Sequence, residues 1–295
     1  MEKWSIKGKT VLITGATSGI GLAAAQELSE DGARIVLATS NLEKGKITAK
    51  KIFEFSGNKK IEIMECNLAS FQSIKLFTDK FKAFNHRLDV LINNAGIWEP
   101  NFVKTRDGFE SNFAVNYLAP FLLTLLLEDL IVKSAPARII NTSSEAHKGV
   151  YLNFKNIQTR EGRFSGFRAY GQSKLALTLF TKKLADDLRD KNVTVNSFHP
   201  GFVRTNIFSR LGSVKSFVIG RFMLSPKQGA KTLVYLATSP EVGESTGEYY
   251  IRKKLARPSI EANNVEAEEI LWEKSLDFVK KFYTPNETKV NKQKK

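Results

Sequence analysis

Residues 10–28 read TVLITGATSGIGLAAAQEL, and this stretch decides the fold. Thr10 to Thr14 are an apolar, β-branched run of strand length, TGATSGIG follows as residues 14–21 with no spacer, and Leu22 to Leu28 continue as a helix. A glycine-rich turn set directly between a strand and a helix is the arrangement that receives a dinucleotide pyrophosphate at a helix start. The glycines have separate tasks: Gly15 makes the tight turn, Gly19 lets the backbone approach a phosphate, and Gly21 lets helix pack on strand. A glycine-rich turn alone is also an ordinary strand-to-helix connection, so the flanking elements give it meaning. Gly8-Lys9-Thr10 has the form of a P-loop tail, but Lys3 stands where the first P-loop glycine is required.

Working outward, apolar β-branched runs keep alternating with amphipathic helical stretches, the pattern of a parallel sheet covered on both faces. Strands are expected at Arg34–Thr39, Lys60–Glu65, Leu88–Ile92, Arg138–Thr142, Val193–Phe198 and Gly247–Ile251. Helices are expected at Phe71–Phe84, Asp107–Val132, Tyr170–Arg189, Pro226–Thr238 and Glu266–Phe282. The expectation is an α/β fold: a single Rossmann-type doubly wound domain over residues 1–283, with a mostly parallel seven-stranded sheet and helices on both faces. Residues Phe208 to Leu224 mix apolar and basic side chains, so a lid over a lipophilic pocket at about 200–226 competes with a plain amphipathic helix. Residues 284–295 read as a basic disordered tail.

The strand ends carry the candidate chemistry, because open α/β sheets bind ligands at their carboxyl edge. The second strand ends in Ser40-Asn41 with no carboxylate to grip a ribose 2′-hydroxyl, and Lys44 follows one turn on, which favours NADP(H) over NAD(H). After the third strand, Asn67-Leu68 offer a polar side chain at the adenine edge. The fourth runs into Asn93-Asn94-Ala95-Gly96, where small residues admit a flat ligand and the asparagines fix turns. The fifth delivers Ser143-Ser144 to this ligand-binding edge, where a serine is also an ordinary helix cap or turn former, and the sixth is broken by His199-Pro200-Gly201, after which Phe202-Val203-Arg204-Thr205 lie where a nicotinamide amide could be held. Pro120 removes the amide that would bond back to Asn116, so a kink with a free carbonyl, able to hold a water, is expected there.

Tyr170 and Lys174 lie four residues apart, on one helical face. Bringing a phenol from pKa about 10 to about 7 requires roughly 4 kcal/mol. An ammonium about 4 Å away at an effective dielectric near 20 supplies about that much. The pair is therefore a candidate proton donor or acceptor, against the competing reading of a solvated helix face.

Composition sets the outer limits. With 295 residues, 42% of them hydrophobic, the chain builds a substantial core, and disorder of the whole chain is excluded. The single cysteine, Cys66, forbids an intrachain disulfide, reads as a small buried apolar residue and fits a reducing, cytoplasmic setting; no Cys/His cluster has metal-ligand spacing. The net charge of +15 invites nucleic acid, but the basic residues are interleaved with acids, so no specific nucleic-acid partner is expected. Loose adhesion to anionic lipid remains open. The amino-terminal MEKWSIKGKTVLITG holds no apolar run of anchor length, and Phe121–Leu127 is too short to span a bilayer.

Taken together, these motifs resemble the short-chain dehydrogenase/reductase family from Gly8 to about Phe282. TGATSGIG is similar to its cofactor turn, NNAG to its motif after strand four, YGQSK to its Tyr-Lys motif and HPGFVRT to its nicotinamide-side motif. Within the family, NTSSEAH at 141–147, the long interval from Ser144 to Tyr170, SKLALTLFTKKLADDL and GEYYIRKKLARPS resemble the retinol-dehydrogenase-like group. Ser40 stands where that group often has arginine, Asn67 where an acid is usual, and many members carry an amino-terminal anchor. The resemblance implies an alcohol–carbonyl oxidoreductase with Asn116, Ser144, Tyr170 and Lys174 as catalytic residues. It implies cofactor contacts at Gly15, Thr17, Ser18, Gly19, Ile20, Gly21, Ser40, Asn41, Asn67, Leu68, Asn94, Ala95, Gly96, Tyr170, Lys174, Pro200, Gly201, Val203 and Thr205. It also implies a lipophilic alcohol, aldehyde or ketone as substrate, and a monomer or homodimer. Two rivals remain from other classes: a non-catalytic NAD(P)-binding sensor or scaffold, and a serine hydrolase pairing Ser144 with His147, though Ser144 lacks a glycine-flanked nucleophile elbow.

Overall fold

Strands with no polar alternation have to be buried on both faces, and the computed structural model, which describes residues 4–158, 164–203 and 223–284, places them so. β1 (Thr10–Thr14), β2 (Arg34–Thr39), β3 (Ile61–Glu65), β4 (Val90–Asn93), β5 (Ala137–Thr142), β6 (Val193–His199) and β7 (Tyr249–Ile251) run parallel. The sheet order is β3-β2-β1-β4-β5-β6-β7-β8. The chain builds outward from β1 to β3, crosses back, and builds the other way from β4. The reversal between β1 and β4 opens a crevice at their carboxyl ends.

Successive side chains on each strand enter different cores. Ile13, Ile35 and Leu37 face α1 (Gly19–Glu30), α2 (Leu42–Ser56) and a later helix, Pro226–Thr238, through Leu28, Ile52 and Leu233. Leu12, Val36 and Leu91 face α3 (Phe71–Phe84), α4 (Ala119–Lys133) and α5 (Gly166–Asp187). With Pro226–Thr238 as α6, the chain's last described helix is α7 (Val265–Val279), whose Trp272 stacks on Phe180 and meets Phe121 edge-on. Each such buried aromatic or leucine contributes about 1.5–3 kcal/mol. Cys66 is buried as expected, and burial pushes its thiol up to about 12.

Four expectations change. The sheet has an eighth strand, β8 (Lys254–Leu255), antiparallel to β7. Its two-residue turn, Arg252-Lys253, has both φ angles left-handed at 51° and 65°, a conformation usually marked by Asn or Gly. The helix expected from Asp107 begins at Ser111, because the Glu110 carboxylate accepts from the amides of Asn112 and Phe113 and caps it there. In place of a simple kink, residues Ala114–Leu118 form a π-helical turn with Ala119 N–H bonded to Ala114 C=O. Pro120, which has no amide for Asn116, is accommodated by this wider turn. The helix of the Tyr-Lys pair starts four residues before Tyr170, where Ser165 caps it. Ser111–Lys133 is long and apolar enough to cross a membrane by length and composition, but 78% of that window is buried in the protein. Most of the lid expected at 200–226, and all but the first residue of the tail, lie outside the described residues.

Candidate active site

The glycine turn has the conformation its residues imply. Gly15 has φ +68°, and a Cβ there would strike Ala95 Cα at 2.6 Å, so the β1 turn and the end of β4 are in backbone contact. Thr14 fastens the same junction: its hydroxyl accepts from the amides of Asn94 (3.0 Å) and Ala95 (3.1 Å) and donates to Ile92 C=O (3.3 Å). The Asn94 amide group donates to the carbonyls of Thr14 and Gly15, and its oxygen accepts from the Thr142 hydroxyl. Asn94 therefore clamps three strand ends together.

The start of α1 has the donors an anionic cofactor requires. Ser18 occupies its cap position, yet no side chain bonds into the first turn and no acid lies there. By contrast, Asn41, Ser70, Ser165, Ser225 and Asn264 cap α2, α3, α5, α6 and α7. The amides that follow Gly19 are thus available to a pyrophosphate, and the residues present fit a dinucleotide. Thr17 is half-buried and Ser18 exposed beside them, with Ile20 and Gly21 packed beneath. Ser40 and Asn41 lie exposed at the end of β2, where the Asn41 side-chain oxygen Oδ1 already accepts from Lys44 N–H. Asn67 is exposed beyond β3 and its oxygen accepts from Ala69 N–H, with Leu68 half-buried. Pro200 and Gly201 are half-buried past β6, and Val203 is buried in the core that holds Ile20, a packing role beside the contact expected of it. Thr205 lies outside the described residues.

The four expected catalytic residues converge beyond β4 and β5. Lys174 Nζ donates to Thr142 C=O at 2.8 Å, stands 5.7 Å from the Tyr170 ring centroid, and lies 3.4 Å from the place a Cβ on Gly96 would occupy. Asn116 Oδ1 lies 3.2 Å from that same place, so any side chain at Gly96 would crowd both. The Ser144 hydroxyl lies beside the Tyr170 phenol and favours its ionised form. Asn116 is fully buried: its oxygen accepts from Ile97 N–H, and its amide donates to Ile97 C=O and Ser173 Oγ. Ser173 in turn donates to Tyr170 C=O at 2.7 Å and so links Asn116 to α5.

Burial sets the protonation states. It pushes the Tyr170 phenol up to about 12, opposed by the Ser144 hydroxyl, and pushes Lys174 down to about 8. The expectation that Lys174 alone brings the phenol near neutrality does not hold in this state, because desolvation outweighs the ammonium. At neutral pH the phenol keeps its proton and the lysine is mostly charged.

The hydrolase reading fails on geometry. His147 Nδ1 lies 2.6 Å from Ser144 C=O and its Nε2 accepts from Ser259 N–H, so neither ring nitrogen serves the Ser144 hydroxyl. Thr14, Thr142, Ser173 and His199 belong to the site and received no role from the sequence. Ser173 lies inside the YGQSK motif, whereas the tasks of Thr14 and Thr142 depend on contacts about 80 and 30 residues away, which no local pattern announces.

Comparison with known proteins agrees with this geometry. Residues 9–215 match the short chain dehydrogenase family. The chain is 39% identical to retinol dehydrogenase 13 of Mus musculus over 286 residues, 94% of this chain and 86% of that protein. It is 40% identical to retinol dehydrogenase 14 of Homo sapiens over 262 residues, 82% and 78% of the two chains. An uncharacterized protein from Mycobacterium paratuberculosis superposes with a TM-score of 0.77 at 29% identity, covering 95% of this chain and 96% of its own.

Proposed function

The chain belongs to the short-chain dehydrogenase family, in its retinol-dehydrogenase-like group, and is an NAD(P)-dependent alcohol–carbonyl oxidoreductase; from that premise we propose that it works through Ser144, Tyr170 and Lys174 on a lipophilic substrate. The observation that carries the proposal is the chain of contacts from half-buried Ser144 through Tyr170 to Lys174 and Asn116, assembled from three separate elements.

The nicotinamide, when bound, supplies a hydride to the carbonyl carbon or takes one from the alcohol. In reduction Tyr170, held protonated by burial, donates its proton to the carbonyl oxygen as charge develops there, and the Ser144 hydroxyl donates a hydrogen bond to the same oxygen. Oxidation reverses the path, with Tyr170 receiving the alcohol proton. Lys174 spends one N–H on Thr142 and keeps two for a ribose hydroxyl, while its charge favours the phenolate left after proton transfer. The π turn at Asn116 holds a backbone carbonyl through which a water connects Lys174 to solvent.

β2 ends in Ser40-Asn41 without a carboxylate, and Lys44 follows one turn on, which favours NADP(H) over NAD(H). The relatives are named retinol dehydrogenases, and Tyr151, Phe167 and Phe202 are about two-thirds exposed on the segments that flank Ser144 and Tyr170, which supports a retinoid-like aldehyde or ketone. With the net charge of +15, the same rim favours a cytoplasmic enzyme that rests loosely on anionic lipid.

The test is a panel of aldehydes and alcohols run with NADPH and NADH. Tyr170→Phe is expected to lower turnover by about a hundred- to ten-thousandfold and to keep NADPH binding, read by fluorescence. A Tyr170→Phe protein with wild-type turnover overturns the mechanism.

A further inference from the structure

The Ser144–Glu145 peptide unit is gripped at both ends by histidines. Its C=O accepts from the His147 backbone amide at 3.1 Å and from His147 Nδ1 at 2.6 Å. Its N–H, which belongs to Glu145, donates to His199 Nδ1 at 3.2 Å. Both rings are buried, and they come from the ends of two neighbouring strands: His147 from the turn after β5, His199 from the last residue of β6. We propose that His147 and His199 are positioning residues that fix this peptide plane and thereby aim the Ser144 hydroxyl at the reacting oxygen.

The partners dictate the proton on each ring. A carbonyl only accepts, so His147 Nδ1 carries hydrogen; Ser259 N–H only donates, so His147 Nε2 is bare at 3.0 Å from it. The Glu145 amide only donates, so His199 Nδ1 is bare and its Nε2 carries hydrogen, 3.9 Å from Glu145 Oε2. The two histidines are thus neutral tautomers of opposite kind, and a second proton on either would face an N–H donor. Burial acts in the same direction, lowering His147 and pushing His199 down to about 4.

Rotation of the peptide plane would swing the hydroxyl, because Oγ is joined to the peptide carbonyl carbon only through Cβ and Cα. Besides meeting the Tyr170 phenol, the hydroxyl accepts from Ala146 N–H at 3.2 Å. His147 also ties the site to the chain beyond the sheet. Ser259 Oγ accepts from Ala262 N–H and Ser259 C=O from the Asn263 amide, in the turn that leads into α7. The carboxyl-terminal segment is therefore part of the scaffold that orients Ser144.

This inference rests on Ser144 being catalytic, and its first test is independent of activity. Nitrogen-15 NMR of the full chain without cofactor at neutral pH reports His147 as the Nδ1–H tautomer and His199 as the Nε2–H tautomer. The reverse tautomer, or an imidazolium, at either position overturns the proposal. In turnover assays His147→Ala lowers kcat by about ten- to a hundredfold, with NADPH affinity and cooperative melting retained. His147→Asn, which places an amide N–H near Nδ1, recovers most of that loss. Wild-type kcat in His147→Ala, or no recovery in a folded His147→Asn protein, overturns it. Should His147→Ala not fold, His199→Asn, which keeps an acceptor for the Glu145 amide, outperforms His199→Leu, and equal rates in that pair overturn the proposal. Failure of the catalytic reading shows instead as full activity in Tyr170→Phe with the tautomers unchanged.

Discussion

One strand, β5, serves a buried cation at each end, and the same burial leaves the two in different states. At the carboxyl end Thr142 C=O receives Lys174, which burial pushes down to about 8. Toward the amino end, about 13 Å away at about 3.3 Å per residue, Arg138 itself is buried. Its guanidinium lies 4.0 Å over the Trp4 ring and donates to Leu236 C=O at 2.7 Å, and burial moves it down to about 10, still well above neutral pH. Beside it Asp89, 1% exposed, accepts from Thr10 N–H, Arg87 and Lys9. The same desolvation leaves a lysine able to titrate near physiological pH and an arginine fixed as a cation. The amino edge of the sheet therefore holds charge to stabilise, and the carboxyl edge holds it ready to change.

The sharpest way to break this contrast is Lys174→Met. Turnover falls by about a hundred- to a thousandfold, yet the protein becomes more stable at pH 7, because a desolvated ammonium is gone. A shift from 10.5 to about 8 sets a ceiling of about 3 kcal/mol on that gain, at about 1.4 per unit. The sign follows from linkage: below pH 8 both states hold the proton and the penalty is complete. From about 8 to 10.5 the unfolded chain binds more protons than the folded one, so wild-type stability rises with pH. Lys174→Met lacks this rise. Thermal melts between pH 7 and 9.5, below tyrosine ionisation, check it; a variant that melts lower at pH 7 would show that Lys174 stabilises its edge as Arg138 does.

Removing the amino-edge charges has the reverse profile. Asp89→Ala leaves Thr10 N–H without its carboxylate and two cations without their acid, a loss of about 3 kcal/mol. Arg138→Ala loses the Trp4 stack, the Leu236 bond and the packing of a long side chain, about 2–3 kcal/mol. Denaturant titration measures both, and kcat per folded molecule is expected to equal wild type. A fall in kcat at constant folded fraction would mean that the edges are coupled along β5.

The contrast also marks where sequence reading stops. The strand–glycine–helix unit at 10–28 was legible because its strand, turn and helix follow one another in the chain, although Thr14 and Gly15 also meet Asn94 and Ala95 about 80 residues on, and Asn116 was legible because Pro120, four residues on, forces the backbone to open. The spacing of Tyr170 and Lys174 gave their proximity, but the direction of their pKa shifts depends on depth, which spacing does not carry. Arg138 reads in ARIINT as an ordinary polar strand start; only Trp4, over 130 residues earlier, shows why it is buried. β8 was missed because Arg252-Lys253 adopts left-handed angles without the glycine that normally signals them. The task of His147 depends on Ser259 N–H, 112 residues downstream, and its tautomer is set by that partner.

The smallest effect tests whether the amino edge is one unit or several contacts. Lys9 Nζ lies 3.3 Å from Asp89 and 4.5 Å from the Trp4 centroid, sharing that ring with Arg138. Lys9→Met keeps the apolar stem and leaves Asp89 with Arg87 and Thr10, so the expected loss is only about 0.5–1 kcal/mol. The informative quantity is the double variant with Arg138→Ala. Two cations over one indole both repel each other and hold the ring, and Trp4 is tied besides by its N–H to Ala237 C=O at 2.9 Å. Once Arg138 is gone the ring is held less well and Lys9 has less to stack on, so the combined loss falls short of the sum by about 0.5 kcal/mol or more. Additivity within about 0.3 kcal/mol would mean that Trp4 is fixed by Ala237 alone. The amino edge would then be a set of independent pairs, and Lys174, linked through Tyr170, Ser173 and Asn116, would sit in the more cooperative of the two regions.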